Sequence, residues 1–471
     1  MTRPSHMDLR GKRVLIVGLA KSGVAAARLC AAQGALVVGN DLRDEAALGS
    51  DTVRTLRDAG CTLALGHHDV GLFTGADYIV VSPGVPALPE LDVAQAAGVA
   101  IASEVELASW FLASDVVVGI TGTNGKSTVT TLVGEMLARG GRPTFVGGNL
   151  GTPLVDVVGT DAARPGGVVV IELSSFQLER VERFHAHVAV LLNVTDDHLD
   201  RHGSLAAYAA AKARVFHGQR RGDHAIVPAG DVVVGALARA GAATICEFGG
   251  ATGEVRVEDG AIVDSVSGLR VSLTELKIRG AHNAMNACAA VLAARLAGAS
   301  AQDIAYVLRN FAGLPHRMAW VRERAGVTYY DDSKATNVGA TVAALDGLRD
   351  AHPRTVLIAG GVDKGGSYAP VAERLALQGR AAVLIGTAAP LLDTALAATA
   401  VPTQHAVSMD DAVVRAAALA LPGDAVLLAP ACASFDMFRS YAHRGDEFVR
   451  AVRALAPSEQ PTTAQDTRGH S

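Results

Sequence analysis

Short apolar runs rich in β-branched residues recur along the chain and alternate with Ala- and Leu-rich segments of helical length. Near-continuous apolar strands that alternate with helices are typical of parallel sheets covered on both faces. The pattern therefore predicts an α/β architecture. The clearest predicted strands are Arg13–Val17, Ala35–Val38, Tyr78–Val81, Val116–Ile120, Val168–Glu172, Val188–Asn193, Thr355–Ala359, Ala382–Ile385 and Ala425–Ala429.

The chain of 471 residues is longer than one hydrophobic core normally supports, so two or three domains are expected. Breaks in the pattern predict domains at residues 1–113, 114–314 and 315–456. Residues 251–273 read as short strands with Gly turns, which indicates a β-rich insert. The polar tail, residues 457–471, is predicted to be disordered.

Composition excludes several classes of protein. Hydrophobic residues make up 49% and charged residues 19%, and the net charge is -5 without a sustained basic run, so no nucleic-acid partner is expected. The five cysteines are scattered and lack metal-binding spacing, which predicts free, buried thiols in a reducing cytosol. The polar start and the lack of ~18 uninterrupted apolar residues predict neither a signal peptide nor a membrane span, hence a cytoplasmic protein.

A glycine-rich loop carries the strongest chemical signal. The strand Val116–Ile120 leads into Gly122-Thr123-Asn124-Gly125-Lys126-Ser127-Thr128, and a helical pattern over residues 129–139 follows. Glycines let backbone N–H groups surround phosphate oxygens, and a helix N-terminus adds positive potential. Lys126 is expected to reach the β- and γ-phosphates, and Ser127 or Thr128 to offer a hydroxyl to Mg²⁺. Ile120 stands where the general G-x-x-x-x-G-K-[ST] spacing has Gly, so the loop is a variant.

Polar side chains follow two later strands. Glu172 ends one apolar strand, and Asp196, Asp197 and His198 come just past another. Mg²⁺ takes oxygen ligands, so these groups are candidate ligands behind the phosphate loop. The alternatives are a capping carboxylate at Glu172 and a solvated loop histidine at His198. The pattern alone makes Lys212, on a predicted helix over residues 208–216, an ordinary surface lysine.

The N-terminal run from Gly18 to Gly23 resembles G-x-G-x-x-G with Ala20 in the middle position. Asp41 ends the next strand, where a Rossmann fold places its ribose-binding acid. A diphosphate on a helix N-terminus would suit this turn. The motif by itself leaves a nicotinamide-dependent dehydrogenase as an alternative.

Six motifs occur in order: G-T-N-G-K-S-T, E-L-S-S-F-Q-L-E, N-V-T-D-D-H-L-D, H-N-A-M-N, L-P-H-R and D-S-K-A-T-N. Together they resemble the Mur ligase family of peptidoglycan synthesis, over residues ~11 to 450. The resemblance implies an N-terminal Rossmann-like domain for a UDP-sugar, a central ATPase with a parallel or mixed sheet, and a C-terminal Rossmann-like domain. It also implies ATP, two Mg²⁺ ions, small-molecule substrates and a monomer.

The resemblance assigns roles to residues that match the family motifs. The catalytic set is Lys126, Glu172, His198 and Lys212, and the metal set is Ser127, Glu172, His198 and a carbamylated Lys212. The ATP contacts are Gly122, Thr123, Asn124, Gly125, Lys126, Ser127, Thr128, Asn283, Asn286, Arg317 and Asp332. The contacts to the UDP-linked substrate are Leu19, Lys21, Ser22, Asp41, Arg43, Gly84, Asn149, Ser174 and His198. The contacts to the incoming amino acid are Lys334, Thr336, Lys364, Ser434 and Tyr441.

The implied reaction activates a carboxylate with ATP, after which an amino group attacks the acyl-phosphate. D-S-K-A-T-N resembles the family branch that adds D-glutamate to UDP-N-acetylmuramoyl-L-alanine, and the D-N-P-R of the diaminoacid-adding relatives is missing from the sequence. Two alternatives besides the dehydrogenase stay open. One is a sibling ligase, including the folylpolyglutamate type, and the other is a catalytically inactive P-loop scaffold.

Overall fold

The computed structural model describes residues 8–278, 280–349 and 351–456, without the side chain of residue 200. Three separate sheets, each flanked by helices, make up a three-domain α/β protein, which confirms the predicted fold class. Two compact units divide the chain. The first holds the residues up to Thr195 together with His202–Ala312, and the second holds Asp196–Arg201 together with the residues from Gly313 onward. The residue bounds of the three domains stay a prediction.

The N-terminal sheet is parallel throughout, in the order β3-β2-β1-β4-β5. Its strands are β1 Arg13–Val17, β2 Leu36–Asp41, β3 Thr62–Leu65, β4 Tyr78–Val81 and β5 Ala100–Ser103. Its helices are α1 Lys21–Ala32, α2 Glu45–Leu48, α3 Ser50–Asp58, α4 Val70–Thr74, α5 Pro89–Ala96 and α6 Glu104–Ser109. The strand order reverses between β1 and β4, and open α/β sheets bind ligands in the crevice at that point.

The central sheet is mixed, in the order β14-β13-β12-β11-β10-β9-β6-β8-β7. Its strands are β6 Val116–Thr121, β7 Thr144–Gly148, β8 Val168–Glu172, β9 Val188–Leu191, β10 His224–Pro228, β11 Thr244–Phe248, β12 Val255–Glu258, β13 Ala261–Asp264 and β14 Arg270–Ser272. Its helices are α7 Lys126–Arg139, α8 Ser175–Leu178, α9 Leu199–His202, α10 Leu205–Ala213, α11 Val232–Arg239, α12 Ala281–Leu296 and α13 Ala301–Asn310. The antiparallel strands β12, β13 and β14 confirm the predicted β-rich insert.

The third sheet has the order β15-β16-β20-β17-β18-β19, and β15 pairs antiparallel with β16 while the other strands run parallel. Its strands are β15 Ala319–Arg324, β16 Val327–Asp331, β17 Thr355–Gly360, β18 Gly379–Ile385, β19 Thr403–His405 and β20 Ala425–Leu428. Its helices are α14 Val338–Leu348, α15 Ala369–Gln378, α16 Ala389–Leu396, α17 Met409–Leu419 and α18 Tyr441–Ala454. Successive residues of β17 enter apolar clusters on opposite faces, so both faces of this sheet are buried.

Several predicted elements have bounds other than expected, and β2, for example, covers Leu36–Asp41 rather than residues 35–38. Strand β9 stops at Leu191 rather than at residue 193, because the main chain of Asn193 instead accepts a hydrogen bond from the N–H of Thr123 in the phosphate loop. The helix predicted over residues 208–216 is α10, which begins at Leu205 and gives way to a 3₁₀ turn at Arg214–Phe216.

The remaining predictions concern cysteines, membrane spans and the chain ends. All five cysteines are buried free thiols, as predicted. Among the described residues, no helix combines the length and apolar character needed to cross a bilayer. The predicted disorder of residues 457–471 and the polar start at residues 1–7 lie outside the described residues.

Candidate active site

The phosphate loop lies between β6 and α7, as the sequence predicts. Gly122 and Gly125 have φ angles of 151° and 86°, which favour glycine. A Cβ at Gly125 would lie 2.2 Å from Oδ1 of Asn286 on α12. The loop therefore packs so closely against that helix that no side chain fits at residue 125. Asn283 lies on the same helix, and its Oδ1 is 3.4 Å from Nδ2 of Asn286.

Asn193, just past β9, holds the loop in shape. Its Oδ1 accepts hydrogen bonds from the N–H groups of Thr123 at 3.1 Å and Asn124 at 2.8 Å, and its Nδ2 donates to the Asn124 carbonyl at 3.1 Å. Sequence reasoning gave Asn193 no role. The available signal was its place in N-V-T-D-D-H-L-D, directly after a strand that neighbours β6.

Two lysines converge on one carbonyl of the loop. Nζ of Lys126 donates to the oxygens of Gly122 at 2.9 Å and Thr123 at 2.7 Å. Nζ of Lys212, on α10, donates to the same Gly122 oxygen at 2.8 Å and lies 4.4 Å from the ring centroid of Tyr208. Lys212 is 1% exposed, so it is not the surface lysine that the helix pattern alone suggested.

Glu172 ends β8 beside β6, and its side chain is buried. The Nδ2 of Asn149 donates to Oε1 of Glu172 at 2.7 Å, and the Asn149 N–H donates to the Glu172 carbonyl at 2.9 Å. Asn149 can come this close because Gly148 has a φ of 93°, and a Cβ there would lie 2.4 Å from the Glu172 carbonyl oxygen. Asn149, which the resemblance assigned to the UDP-linked substrate, and Glu172, which it assigned to the metal, are therefore direct neighbours.

The E-L-S-S-F-Q segment turns into α8 directly after Glu172. Ser174 forms a capping box with Gln177, which uses the Ser174 hydroxyl to satisfy the helix N-terminus. His202 is 3.0 Å from the Ser175 hydroxyl and stacks on Phe176. Neither His202 nor Tyr208 was singled out from the sequence.

The predicted UDP site lies at the carboxyl ends of β1 and β2. Gly18 has a φ of 87°, and the Asp41 carboxylate accepts hydrogen bonds from the Leu19 N–H at 2.8 Å and from the guanidinium and N–H of Arg43. Burial raises the pKa of Asp41, but these hydrogen bonds outweigh it and hold the pKa at about 2. The Asp41 carboxylate is therefore charged and forms an ion pair with Arg43. The first turn of α1 lies beside it.

Three further residues assigned to the UDP substrate lie around this turn. Lys21 and Ser22 begin α1, and Nζ of Lys21 reaches the carbonyl of Gly151 at 2.5 Å, in the same loop as Asn149. Gly84 lies in the turn after β4, and a Cβ there would meet open space. The structure therefore brings Lys21 to the loop that supports Glu172.

In the second compact unit, Lys364 and Thr336 lie close together. Nζ of Lys364 is 3.5 Å from the Thr336 hydroxyl and 3.4 Å from Oδ1 of Asp197. The other Asp197 oxygen accepts a hydrogen bond from Asn337 at 3.0 Å. Asp196 and His198 flank this aspartate in the segment assigned to the same unit. The N of D-S-K-A-T-N was the overlooked signal for Asn337.

Lys334 and Tyr441, two of the predicted amino-acid contacts, are paired. Nζ of Lys334 lies 3.9 Å from the centroid of the Tyr441 ring, a cation–π contact. Ser434, a third member of that set, is buried in the segment after β20. The Ser333 hydroxyl donates to the Tyr441 carbonyl at 2.8 Å, which links the segment that carries Lys334 to the start of α18.

The L-P-H-R and D-S-K-A-T-N segments meet at the end of β16. His316, with a φ of 58°, places Nδ1 2.6 Å from Oδ2 of Asp331. Burial raises the pKa of Asp332 to about 7, although the Arg317 charge acts in the opposite direction. The Asp332 carboxyl and the Arg317 guanidinium thus interact electrostatically.

Two of the predicted metal ligands fit Mg²⁺ as they stand, whereas His198 offers ring nitrogens. The Ser127 hydroxyl and the Glu172 carboxylate are both buried at the carboxyl edge of the central sheet, and Mg²⁺ prefers such oxygen ligands. Lys212 would offer oxygens only after carbamylation. Across the described ranges, no three His, Cys, Asp or Glu side chains form a metal-holding cluster, and the predicted set contains only two side chains of those types.

Fold and loop together define a three-domain α/β protein with a glycine-rich loop between strand β6 and helix α7 of its central domain. Three family descriptions match the chain in order: Mur ligase MurD-like N-terminal domain at residues 12–103, Mur ligase middle domain at 120–294, and Mur ligase glutamate ligase domain at 316–432.

Two curated relatives are similar over nearly their whole length. Both are called UDP-N-acetylmuramoylalanine--D-glutamate ligase. The protein of Anaeromyxobacter dehalogenans (strain 2CP-C) is 48% identical, over 95% of this chain and 99% of its own. That of Geobacter metallireducens is 45% identical, over 97% and 100%.

Solved structures share the fold at low identity. The pseudomurein peptide ligase type C of Methanothermus fervidus has a TM-score of 0.60 at 19% identity, covering 93% of this chain and 99% of its own. MurF ligase of Thermotoga maritima in complex with ADP has a TM-score of 0.60 at 16% identity, covering 94% and 95%. The chain belongs to the Mur ligase family.

Proposed function

We propose that this chain is an ATP-dependent amide ligase that adds D-glutamate to UDP-N-acetylmuramoyl-L-alanine through an acyl-phosphate, in peptidoglycan synthesis. The observation that carries the proposal is the edge of the central sheet where the glycine loop, Lys126 and buried Glu172 follow neighbouring strands. The names of the relatives, which share 43–48% of its residues, supply the particular substrates.

Transfer of the γ-phosphoryl group depends on positioning and on neutralisation of charge. The loop N–H groups and the N-terminus of α7 would bind the phosphates of ATP. Lys126 now donates to the carbonyls of Gly122 and Thr123, so on binding its ammonium would exchange those oxygens for phosphate oxygens. Asn283 and Asn286 would lie near the adenine, and Arg317 and Asp332 would contact the nucleotide.

Ser127, Glu172, His198 and carbamylated Lys212 would hold Mg²⁺, which would supply neutralisation of phosphate charge when bound. The hydrogen bond from Asn149 fixes the Glu172 carboxylate in one orientation. Carbamylation would convert the buried Lys212 cation into an anion with two oxygens. We propose two such ions.

The UDP moiety would bind on the first turn of α1, where Leu19, Lys21 and Ser22 meet Arg43. Because Asp41 already holds Arg43 and the Leu19 N–H, the turn is organised before ligand arrives. Gly84 would leave room for the nucleotide, and Asn149 and Ser174 would lie toward the sugar–peptide end. The substrate carboxylate would then accept the phosphoryl group near Lys126.

D-glutamate would bind in the third domain through its two carboxylates. Lys334, Lys364, Thr336 and Ser434 offer cations and hydroxyls, and Tyr441 supports Lys334 through its ring. The amino group would attack the acyl-phosphate, and the intermediate would collapse to the amide and phosphate without a protein nucleophile. We further propose that the enzyme acts as a monomer in the cytoplasm.

The test is isotopic. UDP-N-acetylmuramoyl-L-alanine labelled with ¹⁸O in its carboxyl group should transfer one label to inorganic phosphate when D-glutamate and MgATP are present. D-glutamate should give amide product, while L-glutamate, L-lysine, diaminopimelate and L-alanine should not. Product without label transfer would exclude the acyl-phosphate, and turnover with L-alanine or a diaminoacid instead would assign the chain to a sibling activity.

A further inference from the structure

Arg444 is a buried cation in the first turn of α18, and its side chain is 0% exposed. Burial lowers the pKa of Arg444 to about 10, against the opposing effect of nearby Cys432, Asp436 and Asp331. The side chain therefore stays charged at neutral pH. A buried charge is costly unless its donors are satisfied, so the surroundings of this guanidinium must be specific.

The guanidinium binds main-chain oxygens on three segments. Its Nη2 and Nε donate to the carbonyl and hydroxyl of Ser333 at 2.9 and 3.0 Å. Its Nη1 donates to the Cys432 carbonyl at 3.2 Å, with longer contacts of 3.4 Å to Ala433 and 3.5 Å to Gly360. The planar fork of arginine suits such a divergent set, whereas a lysine ammonium could reach only part of it.

Those three segments follow three adjacent parallel strands. Ser333 comes after β16, Cys432 after β20 and Gly360 ends β17, and β20 pairs with both of the others. A single side chain thus holds together the loops at the carboxyl edge of this sheet. The Ser333 hydroxyl also donates to the Tyr441 carbonyl, which links the start of α18 to the same point.

Each of the three segments that Arg444 binds carries a residue proposed above to bind the amino acid. Lys334 follows Ser333, Ser434 lies two residues after Cys432, and Lys364 lies four residues after Gly360. Tyr441 is one helical turn before Arg444. The hydrogen bonds described for Arg444 go to Ser333 and to main-chain oxygens, so the guanidinium acts on these four residues through the segments that carry them.

We propose that Arg444 is the positioning residue of the amino-acid pocket, which sets the spacing between the loops that receive the two carboxylates of D-glutamate. The assignment rests on the proposed function. Arg444 does not touch the substrate in this view; it fixes the distance between groups that do. Its loss should weaken D-glutamate binding while sparing the nucleotide sites.

The test compares Arg444→Lys and Ser333→Ala with wild type in steady-state amide formation, varying each of the three substrates in turn. Arg444→Lys keeps the positive charge but loses the planar guanidinium. Ser333→Ala removes one acceptor of the guanidinium, together with the donor to the Tyr441 carbonyl, with little change in volume. Arg450→Lys, at an exposed position of the same helix paired with Asp410 and Glu447, is the matched control.

Arg444→Lys should raise KM for D-glutamate about tenfold, because a lysine ammonium can keep only part of the hydrogen bonds of the guanidinium. Ser333→Ala should raise it less, and the KM values for ATP and the UDP substrate should stay within about twofold in both. Arg450→Lys should match wild type.

Three results would overturn the assignment. The first is an unchanged KM for D-glutamate in folded Arg444→Lys. The second is an equal loss for all three substrates. The third is an Arg444→Lys protein without a cooperative unfolding transition, which would make the guanidinium a support of the whole domain. A wild-type enzyme that fails to use D-glutamate would instead refute the proposed function.

Discussion

Lys126 and Lys212 donate to the same acceptor, the main-chain oxygen of Gly122, at 2.9 and 2.8 Å. Two ammonium groups on one oxygen repel each other, and the repulsion is larger in a buried setting than in water. Nucleotide phosphates would draw Lys126 away, and carbamylation would convert the Lys212 cation into an anion. Either change would remove the repulsion between the two cations.

Replacing Lys126 should abolish ATP turnover without affecting the UDP site. Lys126→Ala removes the cation that neutralises the transferring phosphoryl group, so kcat should fall by about 100-fold or more. Calorimetric binding of the UDP substrate should be unchanged. Lys12→Ala, at an exposed position before β1, is the control and should behave as wild type.

Lys212→Ala should inactivate the enzyme in a way that small acids partly reverse. If the carbamate supplies the functional oxygens, acetate or formate in the assay can occupy the space it leaves and restore part of kcat. Wild-type activity should also fall after removal of bicarbonate. No response to either treatment would refute carbamylation, while Lys126→Ala should not respond to the acids.

Asn149→Ala should lower kcat by about tenfold, since it removes a charge-assisted hydrogen bond of 2.7 Å to Glu172. Activity as a function of Mg²⁺ concentration is the sensitive measurement, and the half-saturating concentration should rise. Asn310→Ala removes an exposed asparagine that donates to the Tyr306 carbonyl and serves as control. A normal Mg²⁺ response in Asn149→Ala would separate Asn149 from the metal site.

Gly125→Ala and Gly141→Ala separate backbone strain from steric clash. Both positions have positive φ, 86° and 79°, but a Cβ at Gly125 would lie 2.2 Å from Oδ1 of Asn286 and one at Gly141 would meet open space. Gly141→Ala should cost about 1 kcal/mol of stability and leave KM for ATP unchanged. Gly125→Ala should cost more stability and raise the KM for ATP at least about tenfold, because the added methyl group forces the loop to move. Equal effects would show that strain alone matters.

His316 should make the stability of the third domain depend on pH. The hydrogen bond to Asp331 raises the pKa of His316 above its usual value, against the effect of burial, and the Asp446 charge adds to the rise. A group with a raised folded pKa stabilises fully below its unfolded pKa of about 6.5, and the contribution is lost as pH rises through the higher folded value.

The measurement is the free energy of unfolding from denaturant titrations at pH 6, 7.5 and 9. Wild type should exceed His316→Gln by on the order of 1 kcal/mol at pH 6, and the gap should shrink toward pH 9. His217→Gln, at an exposed position, should show no such trend. A gap that widens with pH would contradict the assigned direction.

Much of the fold was predictable because strand and helix periods are local properties of the chain. The strands Arg13–Val17, Tyr78–Val81 and Val168–Glu172 appear with the predicted bounds. Weakly apolar strands such as β5 and β19 were missed, since their pairing with neighbours, rather than their own composition, makes them strands. The glycine loop was predictable because its motif is contiguous.

The sequence alone determined the α/β class, the position of the phosphate loop and, through six ordered motifs, the family. Only the tertiary structure decided that Lys212 is buried on the Gly122 carbonyl, that Asn149 supports Glu172, and that Arg444 joins three strand ends. These are contacts between residues far apart in the chain, and a side chain's burial and partners depend on which elements fold against it. A lysine or arginine in a helix has the same local pattern whether it meets water or a ring of carbonyls.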